Sequence, residues 1–518
     1  MKKMNRTAMA LCAMALVLGM GSCRKDNTTE IGGKMTIGAV IDLPGGMGDK
    51  TEVDPSTGLV KWTDDDKIML YSGTNGEEFT WESMVEGEVT KAYFTGDNPG
   101  DLPYYGSYKA TGCNGPGTFT FNIPADQSSF NVGGTFENGP MIAYAENKEN
   151  IVFKNAASWM RIGLKGLAQI SKVELSDNTS GAILNGTLTA SIDEFGKVTA
   201  EMTSGESNTL FVTFAQPLQL MYEELTYITF LVPANSFKAG ATVNVYDFKG
   251  NKLETINGTS MGTEGVPMNK IYNIKTSKII KPISPEGSTG GIFNVGTAAN
   301  PKMVYIAKGN LACDKNTMTW SFKNDQLDVC GEESLFTWSN NTFNDYGTNL
   351  NRPNYFASQD MFQDWGENPI TNGGNQPNLW YTGSVTEWEN LLENHGRAIC
   401  FIGVDRVYGQ ILLPLAFPKE LDIETGAEIT SEQWAAMAEA GAVFLTNGCE
   451  SYWDTETDHY VVATGMGCYY TSTCCSDPSL PFPYSYGFPD PNWGSLVFSQ
   501  NIFWASYGFY VRLFQEVK

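Results

Sequence analysis

Two periods of hydrophobic and polar residues divide this chain. From about residue 32 to 280 the pattern is that of strands. Met160, Ile162 and Leu164 alternate with Arg161 and Gly163, which predicts a half-buried strand. Leu225 to Val232 is a longer apolar run ended by Pro233, as expected of a strand covered on both faces. Val243 to Phe248, the turn Lys249-Gly250-Asn251, and Lys252 to Ile256 predict a hairpin. Short strands divided by turn signals imply β-sandwiches. Beyond residue 380 the period changes twice to that of a helix. Ser384-Val385-Thr386-Glu387 is a capping box, followed by Trp388, Leu391, Leu392 and His395 at i, i+3, i+4 and i+7. Thr430-Ser431-Glu432-Gln433 repeats the device ahead of Trp434, Met437, Ala438 and Gly441. His395 therefore falls on the apolar face at a helix end, where a core or capping role is expected.

Between these regions Pro282, Pro285, Gly287, Gly290 and Gly291 break the strand pattern and mark a linker, taken as 281–290. Composition shifts there too. Trp62, Trp81 and Trp159 precede it, whereas the other nine of the 12 tryptophans follow it, so 291–518 reads as a separate domain. A third pattern opens the chain. Lys2, Lys3 and Arg6 precede an apolar run from Ala8 to Val17, too short to span a bilayer, and Gly21 and Ser22 stand just before Cys23. This is the layout of a secretory signal, residues 1–22.

No later apolar run approaches the roughly 18 residues of a transmembrane helix. The remaining length suits two or three domains with real cores. A formal net charge of -24 excludes the basic footprint of a nucleic-acid binder and disfavours adsorption to anionic phospholipid. Cys113 is alone in the first half, while Cys313, Cys330, Cys400, Cys449, Cys468, Cys474 and Cys475 crowd the second. Outside the cytoplasm these could form disulfides, with connectivity left open. Adjacent Cys474 and Cys475 would be strained if joined, so at least one is expected to pair elsewhere or stay free. No CxxC pair has zinc spacing, and the chain has only 2 histidines.

Three resemblances follow from these residues. Met20-Gly21-Ser22-Cys23 resembles the lipobox of bacterial lipoproteins, with Met20 where that family usually has Leu. The resemblance implies acylation of Cys23, and Arg24-Lys25-Asp26 in a tether over 23–34 resembles the surface-export signal of Bacteroidetes lipoproteins. Acyl chains contribute roughly 0.8 kcal/mol per buried methylene, so several give lasting attachment to the outer membrane. Trp62 to Ile68, Ile123-Pro124-Ala125-Asp126-Gln127, Pro140 to Ala145 and Phe153 to Ser158 resemble, in order and spacing, phrases of the Bacteroidetes fimbrillin family. That resemblance implies two transthyretin-like sandwiches, at 35–150 and 151–280, with Trp62 and Phe153 as core anchors. It also implies a pilin that loses its first strand to a trypsin-like protease and accepts a strand from the next subunit. Lys50 and Lys61, flanking the first candidate turn, are the candidate processing sites, or simply two exposed lysines.

Val304 to Leu311, Trp380 to Trp388, Gln410 to Pro414, Gly441 to Leu445, Tyr469 to Thr473 and Val511-Arg512-Leu513 resemble a domain related to C-type lectins and formylglycine-generating enzymes. The adjacency of Cys474 and Cys475 does not match the reactive cysteine pair of those enzymes. His395 and His459 lack a local nucleophile motif. Acidic acid/base pairs stay open in so acidic a chain, but fold alone is no warrant for catalysis, and an enzyme is not expected. Lectin-like folds bind on loops, where sugar rings stack on aromatics and hydroxyls meet carboxylates and amides. Trp453, Asp454, Glu456, Asp458 and Tyr460, with Asp490, Asn492 and Trp493, form the candidate ligand set. Asp454, Glu456 and Asp458 alternate, which makes calcium the candidate cofactor. Asp64-Asp65-Asp66 lacks EF-hand spacing. The Glu-Pro-Asn and Trp-Asn-Asp signatures of calcium-dependent lectins are absent, and a solvated acidic strand and a Pro-rich loop are the plain alternative.

The expectation is a mainly β chain: two transthyretin-like sandwiches, then an α+β C-type-lectin-like domain. It describes a surface-exposed fimbrial adhesin, placed at the tip because a large C-terminal domain cannot easily be donated to a neighbour. Its expected partners are other pilin subunits and a glycan or a host or bacterial surface receptor. The alternative is a stand-alone surface lipoprotein that captures polysaccharide for nutrition.

Overall fold

The computed structural model describes residues 33–42, 45–47, 62–85, 88–129, 139–314, 316–328, 332–336, 338, 359, 362–403, 407–424, 427–446, 449–454, 459–464, 468–475, 483–487, 499–502 and 509–517. The fold is mainly β. Among the described residues, no helix is long and apolar enough to cross a membrane.

Seven strands close the first body into a barrel, in the order Lys34–Ile41, Ile151–Asn155, Met141–Ala145, Tyr104–Tyr108, Lys67–Ser72, Asn75–Val85 and Glu88–Asp97. Trp62 fills its centre. The indole meets Phe94, Tyr108 and Phe153 edge-on at 5.0–5.6 Å, and Nε1 donates to the Ala39 carbonyl at 3.2 Å. Trp62 and Phe153 are thus both core anchors, fully buried. The acidic turn after Trp62 has a structural use. Asp66 accepts from the Thr63 amide at 2.7 Å and from the Tyr108 hydroxyl at 2.6 Å, which fixes the entry to the next strand.

The second body packs three four-stranded sheets around one core. One holds Thr226–Val232, Ser158–Gly166, Lys270–Ile280 and the short Gly45–Met47. A second holds Thr209–Gln219, Gln169–Asp177, Ala241–Tyr246 and Lys252–Asn257. The third holds Val198–Ser204, Gly186–Ile192, Thr118–Ile123 and Gly112–Gly115. Thr226–Val232 explains its own largely apolar run. Ile228, Phe230 and Val232 face this core, while Leu231 faces the barrel core beside Trp159 and Ile271. The predicted hairpin is Ala241–Tyr246 with Lys252–Asn257. Its turn is closed by Asp247, which accepts from the amides of Lys249 and Asn251, both at 2.8 Å.

Gln127 ties the chain after Thr118–Ile123 to Thr226–Val232 within the second body. Its buried amide imitates a strand partner, accepting from Leu231 N at 2.8 Å and donating to Leu231 O at 2.9 Å. Strand pairing crosses residue 150 in both directions. Ile151–Asn155 belongs to the barrel, whereas Gly112–Gly115 and Thr118–Ile123 belong to a sheet of the second body. The division at 150 therefore stays a proposal about folding units.

In the C-terminal body, Ser288–Asn294, Met303–Ala307, Leu513–Glu516 and Tyr381–Thr382 form one sheet, so the end of the chain closes against its beginning. Glu428–Ile429, Gly396–Ile402, Val407–Leu412 and Val443–Thr446 form another. Helix α1, Val385–His395, and helix α2, Ser431–Glu439, begin at the two predicted capping boxes, with Ser384 and Thr430 as N-caps. Trp388 and Leu391 of α1 enter one core with Phe293, Leu412 and Phe514. Trp434 and Met437 of α2 enter another with Ile411 and Phe444.

Candidate functional site

Two features of the structure bear on function: the first strand of the barrel and one end of the C-terminal body. Lys34–Ile41 lies between two other strands. It runs antiparallel to Glu88–Asp97, from Lys34 opposite Asp97 to Val40 opposite Lys91, and parallel to Ile151–Asn155 from Ala39 to Ile41. Ile37, Ala39 and Ile41 point into the barrel core. Full burial stabilises each isoleucine by roughly 1.5–3 kcal/mol, so the strand is a plug of the core. Position 38 is glycine for a local reason. A Cβ there would lie 2.3 Å from the Glu149 carbonyl oxygen, in a segment that crosses over the strand. After three intervening residues, Gly45–Met47 pairs in parallel with Lys270–Tyr272 of the second body. The chain from Lys34 to Met47 thus completes both bodies and is joined to the rest through 48–61. Lys50 and Lys61 fall in that connection, outside the described residues, as does Cys23.

The alternation Met35, Ile37, Ala39, Ile41 was a readable strand signal in the sequence. Its placement between strands some 50 and 110 residues away was not, because no local pattern encodes it.

In the C-terminal body the candidate ligand residues lie on two excursions. Cys449–Asp454 and His459–Thr464 form a hairpin whose register sets Trp453 opposite Tyr460 and Asp454 opposite His459. Glu456 and Asp458, in the connection 455–458, fall outside the described residues, as do Asp490, Asn492 and Trp493 in the segment 488–498. Both excursions leave from one place. Cys468, Gly487 and Ser499 form one row across the sheet of Cys468–Cys474, Pro483–Gly487 and Ser499–Ile502. The hairpin enters the sheet just before Cys468, and 488–498 spans from Gly487 to Ser499. The backbone therefore brings the roots of both candidate segments to the same end of this sheet.

The chain on either side of the hairpin is tied by side-chain contacts. Tyr469 and Tyr510 pack at 5.6 Å, and Tyr469 donates to the Thr446 carbonyl at 3.3 Å, which ties the two roots of the hairpin excursion together. Arg512 is fully buried. Its two terminal nitrogens donate to Ala307 O and Phe444 O, each at 3.0 Å, so one guanidinium bridges both sheets of the body. Burial pushes its pKa down, with Tyr469 opposing.

Helix α1 is fastened at its first turn. Glu387 accepts from Lys302 Nζ at 2.7 Å, the Tyr381 hydroxyl at 3.0 Å and the Ser384 amide at 2.7 Å. Burial works against its ionisation, but these hydrogen bonds, with that of Lys302 foremost, hold the carboxyl below its ordinary value. At the other end of the helix, His395 accepts from the Asn294 amide through Nε2 at 2.9 Å. Nδ1 lies 2.8 Å from the Leu413 carbonyl, which fits the neutral ring with its proton on Nδ1. Both nitrogens are thus held by backbone, the core role that the helical spacing implies.

Cys474 and Cys475 are not joined to each other. The thiols of Cys113, Cys313 and Cys475 are free. Cys475 Sγ accepts from the Tyr484 hydroxyl at 3.5 Å. Among the described residues, no three His, Cys, Asp or Glu side chains gather as metal ligands, and the side chains of the calcium candidates lie outside that set.

Neither a protein-family model nor a curated protein matches the chain. Among solved structures it is similar to a candidate cell adhesion protein from Bacteroides ovatus, with 13% identity and a TM-score of 0.31, over 48% of this chain and 94% of that one. A second candidate cell adhesion protein, from Bacteroides uniformis, gives 15% identity and 0.29 over 48% and 95%. The tip fimbrial protein of Porphyromonas gingivalis, with a C-terminal truncation, gives 10% identity and 0.22 over 47% and 96%.

Proposed function

We propose that this protein is a surface-anchored fimbrial subunit that is opened for assembly by loss of its first strand, and that its C-terminal body is the adhesive head. The observation that carries the reading is the plug of Lys34–Ile41. A strand paired on both sides, with apolar side chains at every second position facing the core, is a replaceable part: its loss would open two edges at once, and a donor strand with the same spacing would restore its hydrogen bonds and its pockets together. Cutting at Lys50 or Lys61 frees the plug and Gly45–Met47 from the downstream chain in a single step. Cys23, as an acylated first residue, would tether the unprocessed protein to the outer membrane.

The head contributes the other half of the reading. Its transthyretin-like companions would serve as spacers, and the body itself would be C-type-lectin-like. Trp453 and Tyr460 share a register position in the hairpin, and Gly487 and Ser499, which bound 488–498, are paired neighbours in the adjoining sheet. Aromatic faces for a pyranose and carboxylates for its hydroxyls, or for calcium, are the chemistry of a glycan site. No step of this function calls for catalysis.

One preparation tests both halves. Surface fibres sheared from cells expressing the native chain should contain it and should bind discrete members of a glycan array. The Lys50→Gln, Lys61→Gln double variant should remain on the cell body. Equal recovery of the variant in fibres would refute strand loss as the route of assembly. A silent array, with binding to a surface protein instead, would replace the glycan with a protein receptor.

A further inference from the structure

We infer that Phe195 of one copy inserts into the cleft at the base of the C-terminal body of a second copy. Phe195 is 85% exposed, at the tip of the hairpin formed by Gly186–Ile192 and Val198–Ser204. Its presentation is fixed by the turn beneath it. Asp193 Oδ1 accepts from the amides of Phe195 at 3.0 Å and Lys197 at 2.8 Å, and Gly196 takes a φ of 72°. Lys154 Nζ holds the Gly196 carbonyl at 2.6 Å. An apolar side chain carried on a turn whose backbone is already fixed costs less ordering on docking than one on a free loop.

The receptor is a cleft of about 760 Å³ between the second body, the linker and the C-terminal body. Met221, Phe248 and Ile283, which are 54%, 49% and 58% exposed, all line it, and Leu415 contributes from the C-terminal body. Exposed apolar groups gathered in a concave site at a domain junction mark a binding surface. Charge selects the occupant. Glu194 and Lys197 flank Phe195, while the cleft carries Lys249, set 5.5 Å over the Phe248 ring, and Glu223 and Glu224. A docked tip can therefore set Glu194 against Lys249 and Lys197 against the two glutamates. An anionic membrane is the wrong partner for this tip, since Asp193 and Glu194 lie on it and the whole chain carries -24. Tip and cleft share no residue, so the contact is head-to-tail, and a head-to-tail contact that does not close into a ring continues as a filament. It requires neither cleavage nor strand exchange and stands independently of that reading.

The test uses the uncleaved full chain with p-benzoylphenylalanine at position 195, mixed as light and isotopically heavy molecules. Irradiation should yield mixed-isotope cross-links from position 195 to residues 219–224, 247–251 or 282–285. Phe195→Ser and Ile283→Glu, both at exposed positions, should each weaken self-association about tenfold or more in sedimentation. Overturning results are a native chain that stays monomeric, cross-links confined to single molecules or mapped elsewhere, or variants that associate as the native chain does.

Discussion

Arg512 brings a positive charge into the centre of the C-terminal body, and no carboxylate among the described residues forms an ion pair with it. Its energy comes from position: Ala307 O lies on one sheet and Phe444 O on the other, and a planar fork reaches both. Losing the guanidinium orphans two buried carbonyls, at about 1–3 kcal/mol each, offset by the relief of a desolvated charge. The expected balance is destabilisation. Arg512→Met and Arg512→Lys should both lower the urea midpoint of the C-terminal transition, because one ammonium cannot span both acceptors. A Met variant as stable as the native chain would mean that desolvation outweighs the bridge.

At the scale of elements, α1 is docked through Glu387 as much as through Trp388. Lys302, at the entry to Met303–Ala307, and Tyr381, on Tyr381–Thr382, both reach the carboxylate, so the first helical turn is stapled to the sheet. Because the folded-state pKa of Glu387 is depressed, its stabilisation is present above the unfolded value of about 4.3 and is lost as pH falls through the folded value. Glu387→Gln should melt at lower temperature at pH 7, and the gap to the native chain should narrow on acidification and vanish below both values. A gap constant from pH 7 to pH 3 would contradict this account. The helices were legible in the sequence because their caps and apolar spacing are local, and Ser384 and Thr430 stand where the capping boxes place them. Leu225 to Val232 was legible as doubly covered, since both of its faces are apolar. The closing of the first seven strands into a barrel was not, because it depends on the parallel pairing of Lys34–Ile41 with Ile151–Asn155 across more than a hundred residues. The candidate ligand residues were legible only as composition. The common origin of the two segments that carry them follows from the Cys468, Gly487 and Ser499 row, a register that alternation along single strands does not reveal.

For the whole molecule, the plug makes the two N-terminal bodies interdependent. Lys34–Ile41 seals the barrel, and Gly45–Met47 extends the neighbouring sheet. Removing 34–47 would uncover Trp62, Phe94 and Phe153 along one slot, and the Trp62 indole would lose its Ala39 acceptor. Such a surface is unstable in water and demands an incoming strand with apolar residues at i, i+2 and i+4. The most direct test is intact-mass and N-terminal analysis of the protein recovered from sheared surface fibres. The account predicts a chain that begins after Lys50 or Lys61, at Thr51 or Trp62, with residues 34–47 missing. A chain that begins at Cys23 in every assembled copy, with its first strand still in place, would contradict it.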